Sequence, residues 1–445
     1  MITTNAAWDT KNAALAKQPI YVFQIGGQAT VYTTADLAAK GITGTLPAYA
    51  AWLKTPTGAT QTIDPVAGTS SIGELQLEVV DHGGAVRTLV GTNSLCGATA
   101  TLLVGYPGIA WTEFVVVQTY VIYKVNPTAG YTSWTFVTRD AQVLTKKTIY
   151  LHPENGDVLS QDNPWYLAGT PAECFQAVCL FALGLNPAQI DLAQMAALDS
   201  PAEALFAGVR PFLFQISQSF EAKQFIETEL LKPSALYPVV TATGQLSLRA
   251  ARPPAAGPTV AYAFTADNIV GLPQVDRMAV VNEAIWQFDY DGSGYGQYET
   301  FLEATSISTF GRGNQWSVQS QGLRSELGGY WFTQWVSDRL FRRFAGTPAG
   351  LLGGAPVVTI DAFLMSLPVW VGDYVTVTHP LMPDVMTGAL GVTARVYEVI
   401  DRTPDYAGGK MTYKLLDTGL TGAAAAHQWG TASARPFVIG TSVLY

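Results

Sequence analysis

The chain has 445 residues, a formal charge of −9 and 13% charged residues, about half the roughly 25% usual in soluble proteins, with a mean hydropathy of +0.19. That length calls for two to four domains. The acidic balance argues against a protein that grips phosphates, which needs clustered Lys and Arg, and runs such as Phe114-Val115-Val116-Val117 are too short to span a membrane.

Sparse charge beside 11 Trp, 20 Tyr and 19 Phe fits either a large, well-buried β protein or a surface covered by neighbours, because permanent interfaces are poor in charge and rich in aromatics. The N-terminus lacks the basic and apolar regions of a signal peptide. Cys96, Cys174 and Cys179 are too few for a disulfide framework and suit a reducing compartment. Synthesis and assembly in the cytoplasm are expected.

Residues 1–155 read as a closed or nearly closed β-barrel with one or two short helices. Thr33 or Thr34 is positioned to cap a helix running from Leu37 to Lys40, with Gly41 as its stop. Glu74-Leu75-Gln76-Leu77-Glu78-Val79 alternates as a half-exposed strand should. Over 114–125 apolar residues are nearly continuous, which predicts a strand buried on both faces.

A polar, turn-rich stretch at 152–164 marks a boundary, and 156–250 reads as a helical insert ending in a hairpin. Thr170-Pro171-Ala172-Glu173 and Ser200-Pro201-Ala202-Glu203 both combine a hydroxyl cap, proline at the first helical position and a glutamate that bonds back. Asn186-Pro187 predicts a third cap, before Ile190 and Met195. Ser219 predicts a fourth, for a helix with Phe225, Ile226 and Leu230 on one face. The alternation in Gly244-Gln245-Leu246-Ser247-Leu248-Arg249 predicts a hairpin strand.

The proline-rich break at 251–258 opens a small β element, 251–310, with a strand from Val280 to Phe288, a glycine-rich turn at 291–296 and a return strand through Tyr298 and Leu302. The rest, 311–445, predicts a second barrel with a long helix over 323–344. Leu327, Trp331, Trp335, Leu340 and Phe344 follow helical spacing there, and Arg339, Arg342 and Arg343 lie near the C-terminal end, where cations complement the dipole. Strands are predicted at 371–378, 393–400 and 411–417, before a small-residue tail ending in Arg435-Pro436-Phe437-Val438 and Leu444-Tyr445. The fold class is therefore mainly β (α+β) and multidomain: two β-barrels with associated helices, a helical insert and a small β element. No sequence repeat links the barrels.

Candidate chemistry is thin. Asp289, Asp291 and Ser293, with Gly292 and Gly294, have calcium-loop spacing, but Thr300 stands where the loop needs its bidentate acid, so a glycine-rich turn is expected. The glycines 292, 294 and 296 lack the following helix of a dinucleotide site. Cys174 and Cys179 would lie about 140° apart on a helix, and His82, His152, His379 and His427 have no partners at metal-ligand spacing. No catalytic residue, metal site or cofactor is assigned.

The segments "GLNPAQIDLAQMAAL", "PFLFQISQSFEAKQFIETELL" and "GQLSLRAARP", flanked by "LLVGYPGIAWTEFVVVQTYVIYKV" with "YTSWTFVTRDAQVL" and by "LPVWVGDYVTVTHPLM" with "ARVYEVIDR", resemble the phage tail hub (baseplate hub) family. That family includes siphophage and gene-transfer-agent hubs and is related to the baseplate hubs of contractile phages. The resemblance covers most of 70–420 and implies a structural, non-enzymatic virion protein. It implies a homotrimer whose two barrels per chain make a pseudo-sixfold ring, contacts to the distal tail protein, the tail tube and tip or fibre proteins, and DNA only in transit during ejection. The aromatic helix then places Trp331, Phe332 and Trp335 at a possible subunit interface. A carbohydrate-binding or polysaccharide-degrading β protein is the alternative, and it would need paired carboxylates in a cleft or an exposed aromatic row.

Overall fold

Hydrophobic alternation builds the first barrel of the computed structural model, which describes residues 2–14, 18–199, 209–251, 258–345, 354–385 and 388–421. Its strands run in the order Ala48–Ala50, Thr30–Thr33, Ile20–Ile25, Thr99–Gly105, Val115–Pro127, Ser133–Arg139, Glu74–Val80. The two edges meet: Leu53 bridges Val79, Lys54 N–H donates to Glu78 C=O (2.9 Å) and Val80 N–H to Trp52 C=O (2.8 Å). Glu74–Val80 turns Leu75, Leu77 and Val79 inward, as its alternation predicts.

Two expectations for this region need correction. Val115–Pro127 is not buried on both faces, because Val116 and Val121 are half-buried and Tyr123 and Lys124 are exposed. The apolar run is continuous because of a bulge: Leu102 faces Gln118 and Leu103 faces Val116, so Val117 is an extra residue and both Val117 and Gln118 are buried. The helix expected to reach Lys40 is a single turn. Its cap is the Asp36 carboxylate, which accepts from Ala39 N–H (2.9 Å), while Thr33 donates to Ala35 C=O and Thr34 accepts from Tyr21 N–H. The helices that do attach are Ala6–Asn12, capped by Asn5, and Ala85–Thr92.

In the insert the first cap forms as the sequence predicts. Thr170 Oγ1 accepts from Glu173 N–H (3.1 Å), and Glu173 Oε2 accepts from Thr170 N–H (2.8 Å), at the start of Pro171–Ala177. The Ser200 cap lies outside the described residues. Asn186 caps only a 3-10 turn, Pro187–Gln189, and Asp191 instead accepts from Gln194 N–H (3.1 Å) to cap Leu192–Asp199. Ser219 caps nothing, since a two-residue strand, Phe220–Glu221, precedes Ala222–Phe225. The hairpin is present, with Leu236–Val240 antiparallel to Leu246–Ala250.

Val281–Tyr290 and Tyr295–Leu302 form the expected antiparallel pair, and Asn314–Gln319 adds parallel to the first of them. On this three-stranded sheet lies the long helix, Gly329–Phe344.

The second barrel follows the order Val260–Thr265, Tyr374–Pro383, Leu390–Asp405, Lys410–Thr421, Pro356–Phe363, Ile269–Arg277. A flat sheet would hold its outer strands about 24 Å apart. Residues 266–268 join those two strands, and so short a link reaches only about 14 Å. Both outer strands also run in the same sense, parallel to Tyr374–Pro383 and antiparallel to Pro356–Phe363. The tight turn between them, in which Asn268 N–H donates to Thr265 C=O (3.1 Å), brings the two ends of the sheet together and closes the barrel. Each barrel contains one four-strand unit in which a strand pairs antiparallel with the last of the next three: Glu74–Val80 with Ser133–Arg139, and Pro356–Phe363 with Lys410–Thr421. The repeat is one of topology.

The barrels share a core in which Phe23, Leu102 and Phe136 cluster with Phe264, Val375 and Tyr413. Polar ties run across it, with Ile2 N–H to Pro368 C=O (2.8 Å), Asn12 Nδ2 to Met365 C=O (2.9 Å) and the Tyr21 and Tyr406 rings 5.1 Å apart. Strand Gln61–Asp64, from within 1–155, pairs with Asp401 and Arg402 of the second barrel. A second core joins the insert to the three-stranded sheet and long helix through Phe175, Phe214, Leu230, Trp286, Phe332 and Leu340.

Candidate assembly interface

The aromatic helix is shorter and differently phased than its sequence predicts. Gly328, at φ +92°, separates a 3-10 turn, Ser325–Leu327, from the helix proper. Phe332, Val336, Leu340 and Phe344 form the buried face, while Leu327 is 39% exposed and Trp331 and Trp335 are half-buried. Phe332 is fully buried, 5.7 Å edge-on from Phe212, so a subunit contact on this helix falls to the two tryptophans. Their rings stack at 5.2 Å and 18°, and the Arg339 guanidinium lies 4.6 Å from the Trp335 ring. Three planar groups thus line one side of the helix at intervals of four residues.

Beside them Tyr330 OH donates to Gln297 Oε1 (2.6 Å) on strand Tyr295–Leu302. This is one of the two outer strands of the three-stranded sheet, it exposes Tyr298 and Leu302, and it contains neither Pro nor Lys. Edge strands that face water are usually guarded by such residues or by bulges. Tyr295–Leu302 is thus an unguarded edge, and the half-buried tryptophans of the helix also pack on the second core.

The 289–294 carboxylates are used by the backbone. Asp291 Oδ1 accepts from Ser293 N–H (2.8 Å), Ser293 Oγ (2.8 Å) and Gly294 N–H (3.0 Å), and these bonds hold its carboxyl below the ordinary range. Asp289 Oδ1 accepts from Ser325 N–H (2.8 Å). Asp291→Asn keeps an acceptor for the turn, so thermal stability should stay close to that of the unsubstituted protein. Calcium should leave the melting temperature unchanged; an upward shift abolished by that substitution would show a metal site.

Among the described residues, no cluster of three His, Cys, Asp or Glu side chains is placed to hold a metal. Cys174 and Cys179 are buried in the insert, where burial pushes the Cys179 thiol up, and Cys96 is exposed. His152 and His379 each accept a backbone N–H two residues on (3.2 Å); His427 lies outside the described residues. A groove of about 780 Å³ beside the first barrel includes Tyr49, Trp52, Leu89 and Asn93 in its walls. Its one carboxylate, Asp36, is held ionised by the Ala39 N–H and Tyr49 hydroxyl.

Sequence reasoning missed the buried charges, whose partners are remote in the chain. Glu398 accepts from Tyr237 OH of the insert hairpin and from Arg343 of the long helix, all three almost wholly buried. Burial alone would pull Arg343 down, and Glu398 together with Tyr374 and Tyr237 more than offsets this and keeps it charged. Arg395 pairs with Asp417 through Nε (3.1 Å to each oxygen). Two other carboxyls are pushed up to about 7 by burial: Asp140, despite accepting from Gly73 and Gln142 N–H, and Glu229, despite accepting from Gln321 N–H.

No family model and no curated protein matches the sequence. The structure is similar to the 43 kDa tail protein of prophage MuSo2 from Shewanella oneidensis, at 12% identity over 91% of this chain and 99% of that one, with a TM-score of 0.47. It is also similar to a tail protein from Neisseria meningitidis MC58 (12% identity, 90% and 97% covered, TM-score 0.45). A prophage tail protein from Listeria monocytogenes EGD-e is a further neighbour (9% identity, 90% and 94% covered, TM-score 0.44). These three neighbours are tail proteins.

Proposed function

We propose that the chain is a structural virion protein, a tail-tip or baseplate hub that closes the tail tube, adapts its sixfold symmetry to threefold and forms a conduit for DNA ejection. The observation that carries this reading is that one chain holds two barrels on a common core, tied by Gln61–Asp64. Three such chains in a ring would present six barrels to a sixfold tube. The sparse charge, the unguarded strand and the tryptophan stack support a surface made for neighbours. The partners are two further copies, a distal tail protein, the tube and tip or fibre proteins. No enzymatic step is assigned.

Sedimentation of the purified chain at micromolar concentration should give a trimer or larger species, and a clean soluble monomer would overturn the hub reading. Trp331→Phe and Trp335→Phe should each preserve the fold by circular dichroism, and at least one should weaken ring formation or tail completion. If both assemble normally, the helix only packs its own chain.

A further inference from the structure

The insert, both barrels and the Gln61–Asp64 strand meet at a small cavity of about 20 Å³. Gln61 and Thr62 line it from that strand, Asp140 and Gln142 from the first barrel, Val239 from the insert hairpin and Trp370 from the second barrel. That volume suits one water. Gln61 is 6% exposed and its Oε1 has no hydrogen-bond donor among the described residues. Gly73 lies between Gln61 and Asp140: a Cβ there would stand 3.2 Å from Asp140 Oδ2 and 3.4 Å from Gln61 Cγ. The two side chains are thus neighbours, and both line the cavity.

We propose that this cavity binds one structural water, which donates to Gln61 Oε1 and links it to the Asp140 carboxyl, so that the joint between the barrels is coupled to a proton. With Asp140 ionised, the water donates to both oxygens. With Asp140 protonated, the carboxyl O–H donates to the water, and the Gln61 bond is kept. The charged and titratable groups around it are Lys223, whose field favours the carboxylate, Tyr120, and Asp401 and Arg402 on the strand paired with Gln61. The inference does not depend on the hub reading.

Asp140 at about 7 in the fold against roughly 4 unfolded means that the native state binds the proton more tightly. Its contribution is fully present below the unfolded value and is lost as pH rises through 7. Glu229 titrates in the same range, so the test uses Glu229→Gln as the parent protein.

In that parent, Asp140→Asn should flatten the fall in melting temperature between pH 5 and about 8. Gln61→Leu should lower the melting temperature by a few degrees and change that slope, because the ionised carboxylate loses its bridging donor. If Oε1 is simply an unpartnered atom in a dry cavity, replacing it with an apolar group of similar size stabilises instead. A rise in melting temperature for Gln61→Leu, or an unchanged slope, overturns the proposal. So does a high-resolution crystal structure with a dry cavity.

Discussion

Glu398→Leu should cost about 3–5 kcal/mol, because it strips the buried Arg343 guanidinium of its carboxylate and leaves a charge that burial penalises. It also removes the acceptor of the Tyr237 hydroxyl, so the insert hairpin loses a tie to the second barrel. Arg343→Met alone should be comparably damaging, since Glu398 is then the uncompensated charge. The double substitution should recover much of the loss, because an apolar pair of similar volume is often neutral in such sites. Urea unfolding followed by tryptophan fluorescence would measure all three. Additive losses in the double variant would show that Glu398 and Arg343 act separately.

Trp286→Ala should be similarly severe, at about 3–5 kcal/mol. Trp286 is fully buried, with its ring 5.1 Å edge-on from Trp316 and its Nε1 donating to Ser337 Oγ of the long helix (2.9 Å). Trp286→Phe should cost far less, about 1 kcal/mol for the hydrogen bond plus a partial cavity, because the Ser337 hydroxyl keeps Thr333 C=O as its acceptor. Thermal unfolding of the two variants separates packing from hydrogen bonding. A mild Trp286→Ala would mean that the sheet collapses around the gap.

What the sequence revealed was local. The Thr170 capping box, the alternation of Glu74–Val80 and the turn between Val281–Tyr290 and Tyr295–Leu302 depend on residues a few positions apart, and each appears in the structure. Errors arose where local signals competed. Thr33 and Asp36 are both good caps, and the one free of the strand wins. In the long helix two aromatic stripes lie one residue apart, and the sheet beneath selects Phe332 and Val336 over Trp331 and Trp335. The bulge at Val117 hid the true alternation of its strand. The candidate site was partly legible: the tryptophans stand out in sequence, but the unguarded strand beside them becomes visible only once strand order is known. Glu398 with Arg343 and Gln61 with Asp140 could not be read at all, because nothing in composition or spacing couples residues so far apart.

The pairing of Gln61–Asp64 with the second barrel also constrains how the protein is made. Thr62 Oγ1 donates to an Asp401 carboxylate 339 positions further along the chain. At ribosomal speeds of about 5–20 residues per second, that partner emerges roughly 17–70 s later. During that interval the early strand has only Thr69–Ser70 to pair with, and its other side stays open. Synonymous changes that slow translation ahead of residue 401 should therefore favour aggregation of the nascent chain, and the two barrels expressed as separate pieces should refold poorly unless mixed while unfolded.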